Sequence, residues 1–282
     1  QTSKSVEGVA IELVIDRSGS MQALDLTLNG RQVDRLEVVK AVAADFVLGE
    51  AELPGREHDL IGLITFGTYA DSICPMTLDY TTLAEALDQV RPATEAEGAN
   101  TAIGDALALA ASRLNDLEDR TDLNTDDIRS RIVILLTDGA DTASEIDPVA
   151  AADMAAALGI KVYTIGVGRQ GLVPMPMKDA FGRTHIQQVR SDLDETTLQA
   201  IAEATGGRFF RAQNTKSLAA IYAEIDALEK TEVAEERFFH YTDLAVTPVT
   251  LGGVHLPPLL IFPMLVLLLE IVLATTRYRT IP

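Results

Sequence analysis

A single cysteine, Cys74, stands in the 282 residues, so no disulfide forms within the chain and no cysteine-rich zinc or iron–sulfur framework exists. Four scattered histidines, with no HExxH, leave no recognisable zinc site. Tryptophan is absent. Positive charge is scarce: 23 Lys and Arg face 42 Asp and Glu, a net charge of −19. That balance excludes nucleic acid as an expected partner, because affinity for phosphate backbones comes mostly from Lys and Arg clusters. Neither a GxSxG elbow nor a Walker A loop occurs, and no internal repeats are present. What remains, 47% hydrophobic and 23% charged, is the composition of a globular chain long enough for one sizeable core and a small appendage.

From Gly8 to Ala212, short apolar runs alternate with helical patterns, the signature of an α/β fold on a mainly parallel sheet. The predicted strands are Val9–Ile15, Asp59–Thr65, Ile132–Leu136, Lys161–Val167 and Arg208–Arg211, with Ala70–Cys74 as an antiparallel edge. Helices are expected at Val33–Leu48, Thr82–Val90 (with a Thr82/Glu85 capping box), Ala102–Leu114 and Thr215–Lys230. Two more run from Asp147-Pro148 to Gly159 and from Asp194 to Gly206. Gly168–Gln188 is long for a strand-to-helix connection and reads as a surface hairpin.

Two predicted strands run directly into polar loops: Val9–Ile15 into Asp16-Arg17-Ser18-Gly19-Ser20, and Ile132–Leu136 into Thr137-Asp138-Gly139. The carboxyl ends of adjacent strands in an open α/β sheet converge on the ligand crevice. Asp16, Ser18, Ser20 and Asp138 therefore meet there as hard oxygen donors, suited to Mg²⁺ or a similar cation (Mn²⁺, Ca²⁺) and poorly suited to zinc or copper. A third segment, from Gly98 to Asp105, offers the Thr101 hydroxyl as a further ligand. Asp105 and Asp141 read as caps or turn residues, Asp122, Asp126 and Asp127 as a solvated acidic turn, and Met21, Met175 and Met177 as packing or loop residues.

Those three segments, DRSGS, GANTAIGDAL and LLTDGAD, resemble in order the metal-ion-dependent adhesion site of von Willebrand factor A domains, over about Gly8 to Lys230. The resemblance implies a Rossmann-like fold with helices on both faces of the sheet. It implies that Ser18 and Ser20 bind the metal directly, Thr101 directly or through water, and Asp16 and Asp138 mostly through water or by switching between direct and water-mediated contact. DRSGSM, the stretch Arg183–Ala212 and a terminal apolar helix followed by an Arg-bearing tail are similar to the bacterial Bat-type aerotolerance proteins, the A-type in particular. That family usually carries further membrane spans upstream and is associated with MoxR-type AAA+ ATPases.

Three hydroxyls and two mostly indirect carboxylates leave Mg²⁺ incompletely neutralised, with a coordination position facing solvent. An Asp or Glu from a partner protein is the natural replacement for water there. Because the chain is acidic, a basic or neutral surface is expected around that one carboxylate. Catalysis is not expected. Phosphatases of the haloacid dehalogenase type need a second Asp two residues after the first, and Ser18 stands there. A surface adhesin using the same metal is the other alternative.

From Leu256 to Ala274 the chain is apolar for about 19 residues, roughly 28 Å as a helix, with Glu270 the lone ionisable group. This predicts a transmembrane helix over 256–276, preceded by a stalk over 231–255 and followed by a tail over 277–282. Arg277 and Arg279 follow the span, while no Lys or Arg lies between Arg237 and it. The tail is thus expected in the cytoplasm and the soluble domain in the periplasm of a bacterial inner membrane. Glu270 either snorkels towards the cytoplasmic surface or meets another helix. A cytoplasmic ATPase would reach the metal face only indirectly, through membrane helices or another subunit.

Overall fold

Strand β1 (Gly8–Asp16) is buried along its whole length, and with five others it forms a six-stranded sheet in the order β10-β7-β6-β1-β4-β5. In this computed structural model the described residues are 8–49, 59–94, 100–119, 128–178, 183–191, 193–229, 249–251, 254–256 and 261–275. β4 (Leu60–Phe66), β6 (Ile128–Thr137), β7 (Lys161–Val167) and β10 (Phe209–Ala212) run parallel with β1. β5 (Ala70–Thr77) closes one edge antiparallel to β4, as its weaker apolar pattern predicts. Near-continuous Val, Ile and Leu in the central strands follows from helices covering both sheet faces.

One face packs against α3 (Ile103–Asn115), α4 (Pro148–Ala157) and α5 (Glu195–Ala204), where Val14, Ile64 and Leu135 meet Leu107, Ala151 and Leu198. On the other lie α1 (Arg35–Leu48), α2 (Tyr80–Gln89) and α6 (215–229), with Phe46 stacked at a tilt on Tyr222, their ring centres 4.5 Å apart. Helix ends obey local chemistry. Asp147 accepts from the N–H groups of Val149 and Ala150 to start α4, and Asp194 accepts from that of Thr197 to start α5. The expected Thr82/Glu85 capping box is displaced: α2 begins at Tyr80, and Asp79 accepts from both the N–H and the hydroxyl of Thr82. α1 starts two residues later than predicted, because a small hairpin, β2 (Leu26–Leu28) and β3 (Arg31–Val33), takes up the preceding chain. The predicted surface hairpin exists as β8 (Gly171–Lys178) paired with β9 (Thr184–Ser191).

The chain divides into two compact units, Gln1–Ala227 and Leu228–Pro282. The second contains the short hairpin β11 (Val249–Leu251) and β12 (Val254–Leu256), and α7 (Ile261–Thr275). Of the membrane helix expected over 256–276, the described residues form a shorter helix. Leu256 ends a strand, and α7 has 15 residues, about 22 Å of rise. Among the described residues no helix is long and apolar enough to cross a membrane. Most of the expected stalk, the Arg277–Pro282 tail and the acidic turn with Asp122, Asp126 and Asp127 lie outside the described residues.

Candidate metal centre

The strand order reverses between β1 and β6, and all five predicted ligands collect at the carboxyl ends of these strands and the loops beside them. Asp16 is the last residue of β1 and is fully buried. One of its carboxylate oxygens accepts from the Ser18 N–H at 2.7 Å, which bends the loop back on the strand end. The other accepts from the Thr137 hydroxyl of β6 at 2.6 Å. The loop then enters a single 3-10 turn, Gly19–Gln22. Ser18 caps that turn and Ser20 lies within it, and the turn brings their hydroxyl oxygens to 3.0 Å of each other.

Asp138 immediately follows β6. Its Oδ1 accepts from the Ser20 hydroxyl at 2.5 Å and its Oδ2 from the Arg35 guanidinium at 2.7 Å. Thr101 comes from the segment before α3. A Cβ placed on Gly139 would lie 3.7 Å from the Thr101 hydroxyl and 3.9 Å from that of Ser20, so the third segment closes on the other two. That closure is held by backbone. The N–H groups of Thr142 and Ala143 bond to the Thr101 carbonyl, and the Ala102 N–H bonds to the Gly67 carbonyl beyond β4. Asp141 accepts from the Ile103 N–H at 2.7 Å, and Asp105 accepts from the N–H groups of Glu145 and Ile146. Both carboxylates are thus structural caps.

Arg35, Asp25 and Thr137 are the partners that the sequence reading missed. Arg35 is 1% exposed and bridges Asp138 to Asp25, with bonds of 2.8 and 2.6 Å to the latter. At the start of an amphipathic helix an Arg carries no sign that it points inward. Its one signal was Gly168, whose φ of +97° and missing Cβ leave the space that the guanidinium fills.

Electrostatically the pair Asp16 and Asp138 is frustrated. Burial raises both carboxyls, and Asp138 raises Asp16 further, while hydrogen bonds from Ser18 and Thr137 pull Asp16 back only in part. Asp25 behaves oppositely. Burial would raise it, but hydrogen bonds from Arg35 and the Arg169 N–H hold it below the usual carboxylate range. Two buried carboxylates facing three hydroxyls make an all-oxygen donor set that suits a hard divalent cation. Among the described residues no three His, Cys, Asp or Glu side chains gather as a metal site.

The model of the von Willebrand factor type A domain matches residues 11–224. An uncharacterised protein of Borreliella burgdorferi is 28% identical over 203 residues, 72% of this chain and 53% of its own length, so the chain spans about half of that relative. The crystal structure of the hypothetical protein BatB from Bacteroides thetaiotaomicron is 29% identical with a TM-score of 0.59, over 79% of this chain and all of that one. An aerotolerance-related membrane protein from Bacteroides fragilis is 28% identical with a TM-score of 0.57, over 77% of this chain and 98% of that one. The chain belongs to the von Willebrand factor type A family and is similar to its Bat-type, aerotolerance-related membrane proteins.

Proposed function

We propose that this chain is a membrane-anchored, divalent-metal-dependent protein-binding subunit in which an Asp or Glu of a partner completes the coordination of Mg²⁺. The observation that carries the reading is the convergence of the Ser18, Ser20 and Thr101 hydroxyls beside Asp138 at the strand ends. Ser18 and Ser20 hold the ion directly, Thr101 directly or through water, and Asp16 and Asp138 through water. When bound, the ion supplies a local positive charge that attracts a carboxylate. The chain's own residues keep that charge alive: the three hydroxyls are neutral, and Arg35 already satisfies one oxygen of Asp138. Within the site, Asp16 orients the Ser18 N–H and Asp138 orients the Ser20 hydroxyl.

The anchor in this reading is the apolar segment 256–276. Support comes from α7, whose side chains from Met264 to Leu269 and at Ile271 and Val272 are exposed although all but Glu270 in that stretch are apolar, which water would not tolerate. The soluble domain then faces the periplasm and associates with other Bat-type membrane subunits, coupled indirectly to a MoxR-type ATPase on the cytoplasmic side. Affinity capture of the full chain from membranes with and without EDTA tests the reading. Proteins retained with Mg²⁺ should be lost in EDTA and in Asp138→Ala; full retention by Asp138→Ala would refute the metal bridge.

A further inference from the structure

The β8–β9 hairpin is a basic island in an acidic protein. Residues 169–191 hold Arg169, Lys178, Arg183 and Arg190 against the single Asp179, a net +3 in a chain of −19. Directly opposed residues of an antiparallel pair share a face. The register therefore puts Leu172, Pro174, Pro176, Ile186, Gln188 and Arg190 on one face, and Val173 on the other. Val173 is 2% exposed, so its face turns inward, while Leu172 is 72% and Ile186 55% exposed on the outer one. Arg190 is exposed beside them.

The hairpin's root is tied to the metal centre. Arg35, which holds Asp138 through Nη1, bonds through Nη2 to the Ser191 hydroxyl at 3.2 Å and the Arg169 carbonyl at 3.4 Å. The Leu24 N–H, just past the turn that carries Ser20, bonds to the Pro174 carbonyl at 2.8 Å. Pro174 and Pro176 have no N–H, so β8 is a poor edge for an added strand, and the outer face itself is the surface on offer.

We propose that this outer face docks an extended, acidic and apolar segment of the partner protein, the segment whose carboxylate reaches the metal. Only that last clause rests on the metal reading. The acidic remainder of the chain repels such a segment at a distance, but screening limits the repulsion to about 8 Å at physiological salt. Within that range the basic hairpin supplies the complementary field, and Leu172 with Ile186 supplies apolar surface. The expectation of a basic or neutral partner, drawn from net charge alone, is thereby reversed locally. An anionic lipid surface shares part of this chemistry; the root's connection to Asp138 favours a protein.

The test uses the full chain in nanodiscs of neutral lipid and a synthetic peptide alternating Glu with Leu, alongside its Gln-for-Glu analogue. The acidic peptide should bind and protect the amides of 171–190 from hydrogen exchange. The double variant Leu172→Ser/Ile186→Ser should weaken it by about tenfold or more, and the Gln analogue should bind far more weakly. Unchanged affinity in the double variant, equal affinity for the Gln analogue, or no binding at all overturns the proposal. So does protection of 171–190 by phosphatidylglycerol nanodiscs without peptide. Hairpin-dependent binding that survives EDTA and Asp138→Ala would sink the metal reading and leave the docking face standing. Mg²⁺-dependent binding indifferent to the hairpin variant would do the reverse.

Discussion

Ser20 sits where the hydroxyl pair and Asp138 meet, and its removal should cost metal affinity with little effect on the apo fold, because it is only partly buried. A ligand at a hundred times its Kd stabilises a protein by about 2.7 kcal/mol. Thermal unfolding of the parent should therefore shift upward on adding saturating Mg²⁺ after EDTA treatment, and Ser20→Ala should lose most of that shift. Glu12 is a different kind of residue. It lies between Ala10 and Val14 on the α3 side of β1, is 1% exposed, and has an oxygen without a hydrogen-bond partner. Its room comes from Gly62 on β4, where a Cβ would stand 2.6 Å from the carboxylate. Burial pushes the Glu12 carboxyl up to about 8, and the charge of Arg113 on α3 offsets only part of this; Asp116 also lines the small cavity there. Between pH 4.5 and about 8 the unfolded chain releases a proton that the folded chain keeps, so this group lowers stability as pH rises through that window. Glu12→Gln should flatten the slope and be more stable than the parent at pH 8, on the order of 3 kcal/mol by urea unfolding. An unchanged pH profile would mean that Glu12 is not held neutral.

At the scale of elements, the end of β7 and the start of α1 are locked together through Arg35. Replacing Arg35 with Met would strand Asp25 and Asp138 as buried carboxylates without their cation, a loss of about 3–5 kcal/mol. Gly168→Ala reaches the same lock from the other side, since its Cβ would overlap the Arg35 guanidinium. Gly171 provides the control: its φ of +99° matches the +97° of Gly168, but nothing lies near its Cβ position. Both alanines carry backbone strain, roughly 1–2 kcal/mol. Gly168→Ala should exceed Gly171→Ala by at least about 1 kcal/mol in urea, the excess being the contact. Equal losses would show that Arg35 yields without cost. Helix starts are simpler: Asp147→Ala removes the acceptor for two N–H groups of α4 and should cost about 1 kcal/mol.

For the whole molecule, the proposed anchor with Arg277 and Arg279 behind it predicts that protease added to intact spheroplasts digests the soluble domain; protection would overturn the proposed orientation. Strand identity, the parallel sheet and the convergence of five oxygen-bearing side chains were legible from the chain alone, because buried strands are continuous apolar runs and those side chains sit directly on strand ends or before a helix. Local rules also located the α4 and α5 caps, but the Thr82/Glu85 pair misplaced that of α2, which is Asp79, by type the better cap residue. Arg35, Asp25 and Glu12 were not legible. A charged residue declares its burial only through partners distant in sequence: Asp138 lies 103 residues from Arg35, and Thr137 lies 121 from Asp16. Periodicity is a property of neighbours along the chain and determined which elements form. The electrostatic wiring beneath the metal centre joins groups that only folding makes neighbours, so it was decided by the tertiary structure.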